Sequence, residues 1–296
     1  MSYYREEMLL DSKKIFIDGI DVQFFGRSDD PYFQTLENAA VGLSALVKVV
    51  DRLSDRSVAL DVGANIGLSA VLLARRFEKV IAYEPSPSNV RFLRENLAAN
   101  GITNVVVEPF AVSAEPATLR FHEAVFGAGS HVVSEEHLAA NSIPVIEVPA
   151  VALDAQNLPP ISFIKMDAEG HEPEVLAGAR GLLASFRPMI YMEINVWCLC
   201  AFAGHSPGTL VKTLWERFEV SDSAGTVLHN PYVFLHDTIV RYGGVADVVL
   251  KPKIGAAMPS LRELTWPESA RRSEPELDSA VLAAFLAKPR EAIETI

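Results

Sequence analysis

Four carboxylates stand out because each closes or ends a short apolar run. Asp61 follows Val58-Ala59-Leu60, Glu84 follows Val80-Ile81-Ala82-Tyr83, Asp167 follows Ile161 to Met166, and Glu193 stands near the end of Met189 to Ile194. His171 comes four residues after Asp167, on a turn that opens a helical pattern. An imidazole there can accept a proton from a substrate, and the positive end of a helix would hold it in its neutral, basic form. Asp167 and Glu193, at neighbouring strand ends, would orient that imidazole. Alternatively they would hold Mg²⁺ to polarise an oxygen, although nothing in the sequence assigns metal ligands. His171, Asp167 and Glu193 are therefore the candidate catalytic residues. The blander alternative is that His171 and Glu172 merely cap the helix and pair at the surface.

The elements that must position these groups start at Asp61-Val62-Gly63-Ala64-Asn65-Ile66-Gly67, followed by the apolar run Leu68 to Ala74. The pattern is strand, glycine turn, helix. Gly63 and Gly67 remove Cβ atoms where the chain turns sharply, and such a turn is expected to aim free backbone N–H groups at a ligand. Glu84 lies about 20 residues further on, where a nucleotide-binding βαβ unit puts the carboxylate that accepts from ribose hydroxyls. A dinucleotide fingerprint would need glycines at 63, 65 and 68, but positions 65 and 68 hold Asn65 and Leu68. A single nucleoside with an amino-acid tail fits better, which points to S-adenosylmethionine and demotes NAD. Phe110 and Ala111 end the next strand region, where they would flank the adenine; core packing is the equal alternative for Phe110. The cofactor-binding set is Asp61, Gly63, Asn65, Gly67, Glu84, Pro85, Ala111 and Asp167.

Composition narrows the partners. The 296 residues are 49% hydrophobic and 22% charged, with a net charge of −12. That is a folded chain with a large core, and its acidity argues against nucleic-acid binding. Composition gives no indication of oligomeric state. Cys198 and Cys200 are the two cysteines. Taken as an extended Cys-x-Cys pair, they make a poor disulfide and read as free thiols. Met1 to Asp11 is no signal peptide, and the apolar stretch Pro188 to Ala203 is broken by Glu193 and Asn195, so no membrane span and a cytoplasmic location are expected.

Along the chain, residues 1–55 form an N-terminal extension, with a hairpin around Asp18-Gly19 and a helix over Thr35–Leu53 that packs on the core. Residues 56–252 alternate strand and helix, with one helix carrying Val175 through Leu183 and a last strand near Ala246–Leu250. This alternation predicts an α/β, Rossmann-like, doubly wound, mostly parallel sheet with its ligand beyond the C-terminal strand ends. Residues 117–153 interrupt it as an inserted β segment carrying His122, His131 and His137, expected to shape the acceptor pocket. Residues 253–296 read as a peripheral helical tail.

Over roughly residues 13–252 the chain resembles the FkbM family of S-adenosylmethionine-dependent methyltransferases, of the class I type. The residues that carry the resemblance are Leu60 to Gly67, Tyr83-Glu84-Pro85-Ser86-Pro87, Phe110-Ala111-Val112-Ser113, and above all Phe163-Ile164-Lys165-Met166-Asp167-Ala168-Glu169-Gly170-His171-Glu172. It implies an O-methyltransferase acting on a hydroxyl of a sugar, glycolipid or natural product, without naming the acceptor. An NAD-dependent oxidoreductase and a nucleic-acid methyltransferase are the alternatives. The second would need Asn-Pro-Pro-aromatic after a strand, whereas Asn157-Leu158-Pro159-Pro160 precedes one.

Overall fold

Asp18 and Gly19 both take positive φ, 52° and 83°, so Leu10–Ile17 (β1) folds back on Ile20–Arg27 (β2) as an antiparallel hairpin. Ile15, Ile17, Val22 and Phe24 are buried beneath it. Asn96 and Asn100 tie the hairpin to the core: the Asn96 carboxamide accepts from Phe25 N–H at 2.6 Å and donates to Phe25 and Ile66 carbonyls at 3.1 and 2.8 Å. The computed structural model describes residues 10–123, 130–134, 137 and 143–265.

The remaining strands follow in order: Val58–Val62 (β3), Lys79–Tyr83 (β4), Val105–Glu108 (β5), Ala111–Val112 (β6), Ala117–His122 (β7), His131–Val132 (β8), Ile146–Val151 (β9), Phe163–Met166 (β10), Met189–Asn195 (β11), Phe218–Ser221 (β12) and Val245–Pro252 (β13). Seven of them form one sheet in the order β12-β13-β11-β10-β3-β4-β5. The pairs from β11 through β10, β3 and β4 to β5 are parallel, and β13 runs antiparallel to both β11 and β12. This is the expected doubly wound, Rossmann-like, mostly parallel sheet. A separate sheet, β6-β9-β7-β8, gathers the strands of residues 117–153 and adds β6, which lies before them.

Every residue of β3 and β10 is buried, as a parallel strand covered on both faces requires. Leu60, Val62, Ile164, Met166 and Met192 pack against Val175, Leu176, Leu210 and Leu214 of the helices on one face. Ala59, Val80, Ala82 and Phe163 pack on the other against Leu46, Val50, Val71, Phe92 and the hairpin. Strand register then sets the polar rows. Asp61 pairs with Lys165, Lys165 with Tyr191, and Glu193 with Asp247.

Three local expectations need correction. Thr35–Leu53 is not one helix but two, Leu36–Gly42 and Ser44–Asp51. Gly42 is a weak helix former, and the break turns Leu43 toward the ligand cavity. The helix expected through Leu183 is also split, into Glu172–Ala177 and Arg180–Phe186. At the break a Cβ on Gly178 would stand 2.0 Å from the Ser113 carbonyl oxygen, so only glycine lets the two backbones meet. Cys198 and Cys200 are not extended; they sit on the helix Val196–Ala201, started by the Asn195 side chain accepting from Cys198 N–H. Neither is in a disulfide. Of the C-terminal tail, Leu261–Leu264 is a short helix, and residues 266–296 lie outside the described residues. No helix among the described residues is long and apolar enough to cross a membrane.

The closest approach in the core joins the two turns that carry the motifs. Gly63 has φ 77°, and a Cβ there would stand 1.8 Å from the Asp167 carbonyl oxygen. Gly63→Ala should therefore cost about 2–4 kcal/mol, from a strained backbone and a forced separation of the turns. Urea unfolding measures this; an unchanged midpoint would mean that the turns part freely.

Candidate active site

A cavity of about 360 Å³ opens beyond the C-terminal ends of β3, β4, β10 and β11. Gly63, Asn65, Glu84, Pro85, Ala111 and Asp167 all line it, as do His171 and Glu193. Asp61 and Gly67 do not. Asp61 lies one layer below, fully buried, where it accepts from Ser69 Oγ at 2.7 Å and stands 3.9 Å from Lys165 Nζ. Gly67 begins the helix Leu68–Ala74 at φ 99°, and its missing Cβ makes room for Leu93. Both sit behind the cavity wall, Asp61 beside Ser69 and Lys165 and Gly67 at the start of the helix.

The glycine turn does not offer its backbone donors. Gly63 and Ala64 N–H both donate to the Tyr83 carbonyl at 3.0 and 3.1 Å, and Gly67 N–H to the Ala64 carbonyl at 2.9 Å. Asn65 N–H donates to Glu84 Oε2 at 2.8 Å, and Ile66 N–H to Asn65 Oδ1 at 2.8 Å. The expected row of free N–H groups is thus spent inside the protein. The five-residue loop from Gly63 to Gly67, with Gly63, Asn65 and Gly67 at φ 77°, 50° and 99°, closes on itself.

What faces the cavity is acceptor-rich and acidic. Glu84, Asp167, Glu169, Glu193 and Asp247 contribute carboxyl groups, and Lys165 is the one Lys or Arg among the described lining residues. Its ammonium meets Asp167 Oδ2 at 3.2 Å and the Gly63 carbonyl at 3.3 Å. Burial works against that charge, but Asp167 and Asp61 outweigh it and hold the group protonated. One cation does not neutralise five carboxyls. Burial raises Glu84 to about 7 against its hydrogen bonds from Ser86 and Asn65. Burial, with Asp167 nearby, lifts Glu169 to about 8. Glu193 is pushed well up by burial and then by Asp167, Glu169 and Asp247.

The turn after β10 is braced from below. Glu169 takes φ 51° and accepts from the Cys198 thiol at 2.9 Å. Burial keeps that thiol protonated, so it remains a donor. Glu172 accepts from Ala168 and Gly170 N–H at 2.8 and 3.3 Å. His171 caps the helix Glu172–Ala177, yet it is no surface cap: its side chain is 11% exposed. Its Nε2 lies 3.1 Å from Ser113 Oγ and its Nδ1 3.5 Å from Glu174 Oε2. The carboxylate beside the ring is thus Glu174. Burial, more than the helix end, lowers the imidazole's pKa.

Sequence reasoning missed Lys165, Tyr32, Tyr191 and Asp247. Lys165 carried a signal, a lysine inside an otherwise apolar buried strand. Tyr191 donates to Asp247 Oδ2 at 2.6 Å, a pair set by register across β11 and β13. Tyr32, with Ala39, Gly42 and Leu43, makes a wall from the N-terminal extension. The inserted sheet adds Phe121, Ser130 and Val132. Its histidines serve packing: His131 stacks on Phe202 with centroids 3.6 Å apart, and His137 Nδ1 lies 2.8 Å from the Ala201 carbonyl. Among the described residues no group of three or more His, Cys, Asp or Glu is arranged to hold a metal ion.

Comparison with known proteins agrees with this geometry. Residues 61–200 match the family model described as the Methyltransferase FkbM domain. The hexuronic acid methyltransferase AglP of Haloferax volcanii is 28% identical over 169 residues, which are 57% of this chain and 65% of that protein, under two thirds of its length. An uncharacterized protein of Methanocaldococcus jannaschii is 29% identical over 87 residues, covering 29% of this chain and 31% of its own. Among solved structures, a methyltransferase FkbM from Methylobacillus flagellatus matches 68% of this chain and 44% of its own, at 17% identity and TM-score 0.39. A putative methyltransferase from Streptococcus mutans in complex with SAH matches 72% and 97%, at 14% identity and TM-score 0.42.

The raised carboxyls predict how stability varies with pH. Glu84, Glu172 and Glu169 titrate near 7, 7 and 8 when folded and near ~4.3 when unfolded. Between those values the native state binds more protons, so stability is full below the unfolded value and is lost as pH rises through the folded ones. Thermal unfolding of the ligand-free chain should fall from about pH 5 to pH 8. A rise over that window would contradict the burial of these groups.

Proposed function

We propose that the protein, whose residues 61–200 match the Methyltransferase FkbM domain, transfers the methyl group of S-adenosylmethionine to a hydroxyl of a sugar, glycolipid or natural product. The observation that carries this reading is the acceptor-rich, acidic cavity over a glycine turn whose N–H groups are already used. The bound cofactor would present an ammonium, ribose hydroxyls and a sulfonium that supplies an electrophilic methyl. Each of those groups wants an acceptor or a negative charge. A dinucleotide's pyrophosphate wants free donors and a positive field, which this turn does not supply. The oxidoreductase reading is therefore the weaker one.

Glu84 is the group for the ribose. Its two oxygens already accept from Asn65, Ser86 and Asn89, which fixes the carboxylate while leaving lone pairs for hydroxyl donors. Pro85, Phe110 and Ala111 offer the apolar sides for the base. Asp167 and the Gly63 carbonyl, both held by Lys165, are the acceptors for the amino-acid end. On the side of β11 and β13, Glu193 and Asp247 receive the acceptor's hydroxyls. His171 takes the proton from the reacting hydroxyl; its lowered pKa keeps it neutral and ready near pH 7. The sugar class rests on the resemblance to the hexuronic acid methyltransferase and on this polar wall.

Two measurements test the reading. Glu84→Ala should weaken S-adenosylmethionine binding by about 1.5–3 kcal/mol in calorimetry; unchanged affinity would remove Glu84 from the ribose. In a labelled-methyl transfer assay across sugars, glycolipids and polyketides, label should appear on oxygen. Transfer to nitrogen or carbon alone would overturn the acceptor assignment. With an active acceptor, His171→Ala should lose at least ~10²-fold in turnover while binding the cofactor normally.

A further inference from the structure

Behind His171 lies a line of polar groups that the cavity itself does not use. Ser113 Oγ is 3.1 Å from His171 Nε2, His171 Nδ1 is 3.5 Å from Glu174 Oε2, and Glu174 Oε1 is 2.7 Å from His205 Nε2. The four residues come from three parts of the chain: Ser113 follows β6, His171 caps the helix Glu172–Ala177 and Glu174 is inside it, and His205 precedes the helix Pro207–Arg217. All are shielded from water: Ser113 and His205 are 6% exposed, and the His171 and Glu174 side chains 11% and 15%. Of the four, His171 alone lines the cavity.

We propose that Glu174, clamped by His205, is the positioning residue that fixes the tautomer of His171, so that Nδ1 carries the hydrogen and Nε2 presents the lone pair. The inference rests on the base role given to His171 above. A carboxylate oxygen facing Nδ1 would repel a lone pair there, so the hydrogen sits on Nδ1. Nε2 then accepts from the Ser113 hydroxyl until a substrate hydroxyl replaces it. The proton leaves the substrate oxygen for Nε2 and the ring becomes an imidazolium, with no other bond changed on the protein. Glu174 Oε2 has no hydrogen bond in the resting state. Its attraction to the ring therefore grows when the ring gains charge, the differential stabilisation that speeds a reaction. His205 fixes the other oxygen and stops the carboxylate turning away.

The neighbours agree with this division. The charged groups that shift His171 are Glu174 and His205. Glu169 and Glu172 on the same turn are tied to Cys198 and to the N–H groups of Ala168 and Gly170. Glu174 itself is held in its ionised range, because His171 and His205 together outweigh its burial.

Nitrogen-15 NMR of the histidine rings reads the tautomer without any acceptor. The parent protein at pH 7.5 should show His171 as the Nδ1–H form. Glu174→Gln has one acceptor oxygen for two imidazoles, so His171 should shift toward the Nε2–H form. Turnover should fall by at least ~10-fold at unchanged affinity for S-adenosylmethionine. A parent His171 in the Nε2–H form, or a tautomer that ignores the substitution, overturns the proposal. If the tautomer behaves as stated but His171→Ala turns over like the parent, the base assignment fails while the Glu174 clamp stands.

Discussion

The structure turns on one ammonium. Lys165 lies in a strand buried along its whole length, directly across from Asp61 in the register of β10 and β3. It reaches Asp61, Asp167 and the Gly63 carbonyl together. Without it Asp61 would be a fully buried, uncompensated carboxylate, a situation that costs about 3–5 kcal/mol when a pair is broken. With it, a β3 turn and a β10 turn become one unit. Their backbones meet so closely at Gly63 and Asp167 that no side chain fits between them.

That union explains the electrostatic character of the cavity. Lys165 is spent on holding the floor together, so the carboxyls around the rim are left in excess. Burial drives Glu84, Glu169 and Glu193 toward their neutral forms, and Asp167 adds to it at Glu169 and Glu193. A cationic ligand relieves this strain and an anionic one adds to it. The same feature that makes the ligand-free site costly makes it selective for positive charge, a trade often found at functional sites.

Helix breaks do the finer positioning. At Gly42 the chain interrupts a helical pattern so that Leu43 joins the cavity wall. At Gly178 it does so to let the backbone touch Ser113, which brings the end of β6 against the helix that carries His171 and Glu174. Both breaks fall on glycines, where helix interruption costs least. Asn96 and Asn100 likewise lend carboxamides to the edge of β2, so the hairpin is held by side chains acting as a strand.

Periodicity and turn chemistry made the architecture readable in advance. Alternating apolar runs marked β3, β4, β10 and β11, Asp18-Gly19 marked the hairpin, and carboxylates at strand ends marked the mouth of the cavity. Those signals are local, because strand and helix periods are properties of neighbouring residues. The destinations of the turn's N–H groups were not local, since Tyr83 and Glu84 receive them from another strand. Nor was the setting of His171, since Ser113 reaches its ring and His205 reaches its neighbour Glu174 from distant segments. Lys165, Tyr191 and Asp247 became one polar floor only through cross-strand register. The amino-acid sequence thus determined which elements form and which strand ends face the ligand. The tertiary structure decided what each polar group bonds to, because hydrogen-bond partners and buried charges are chosen by distances between elements that the chain order does not contain.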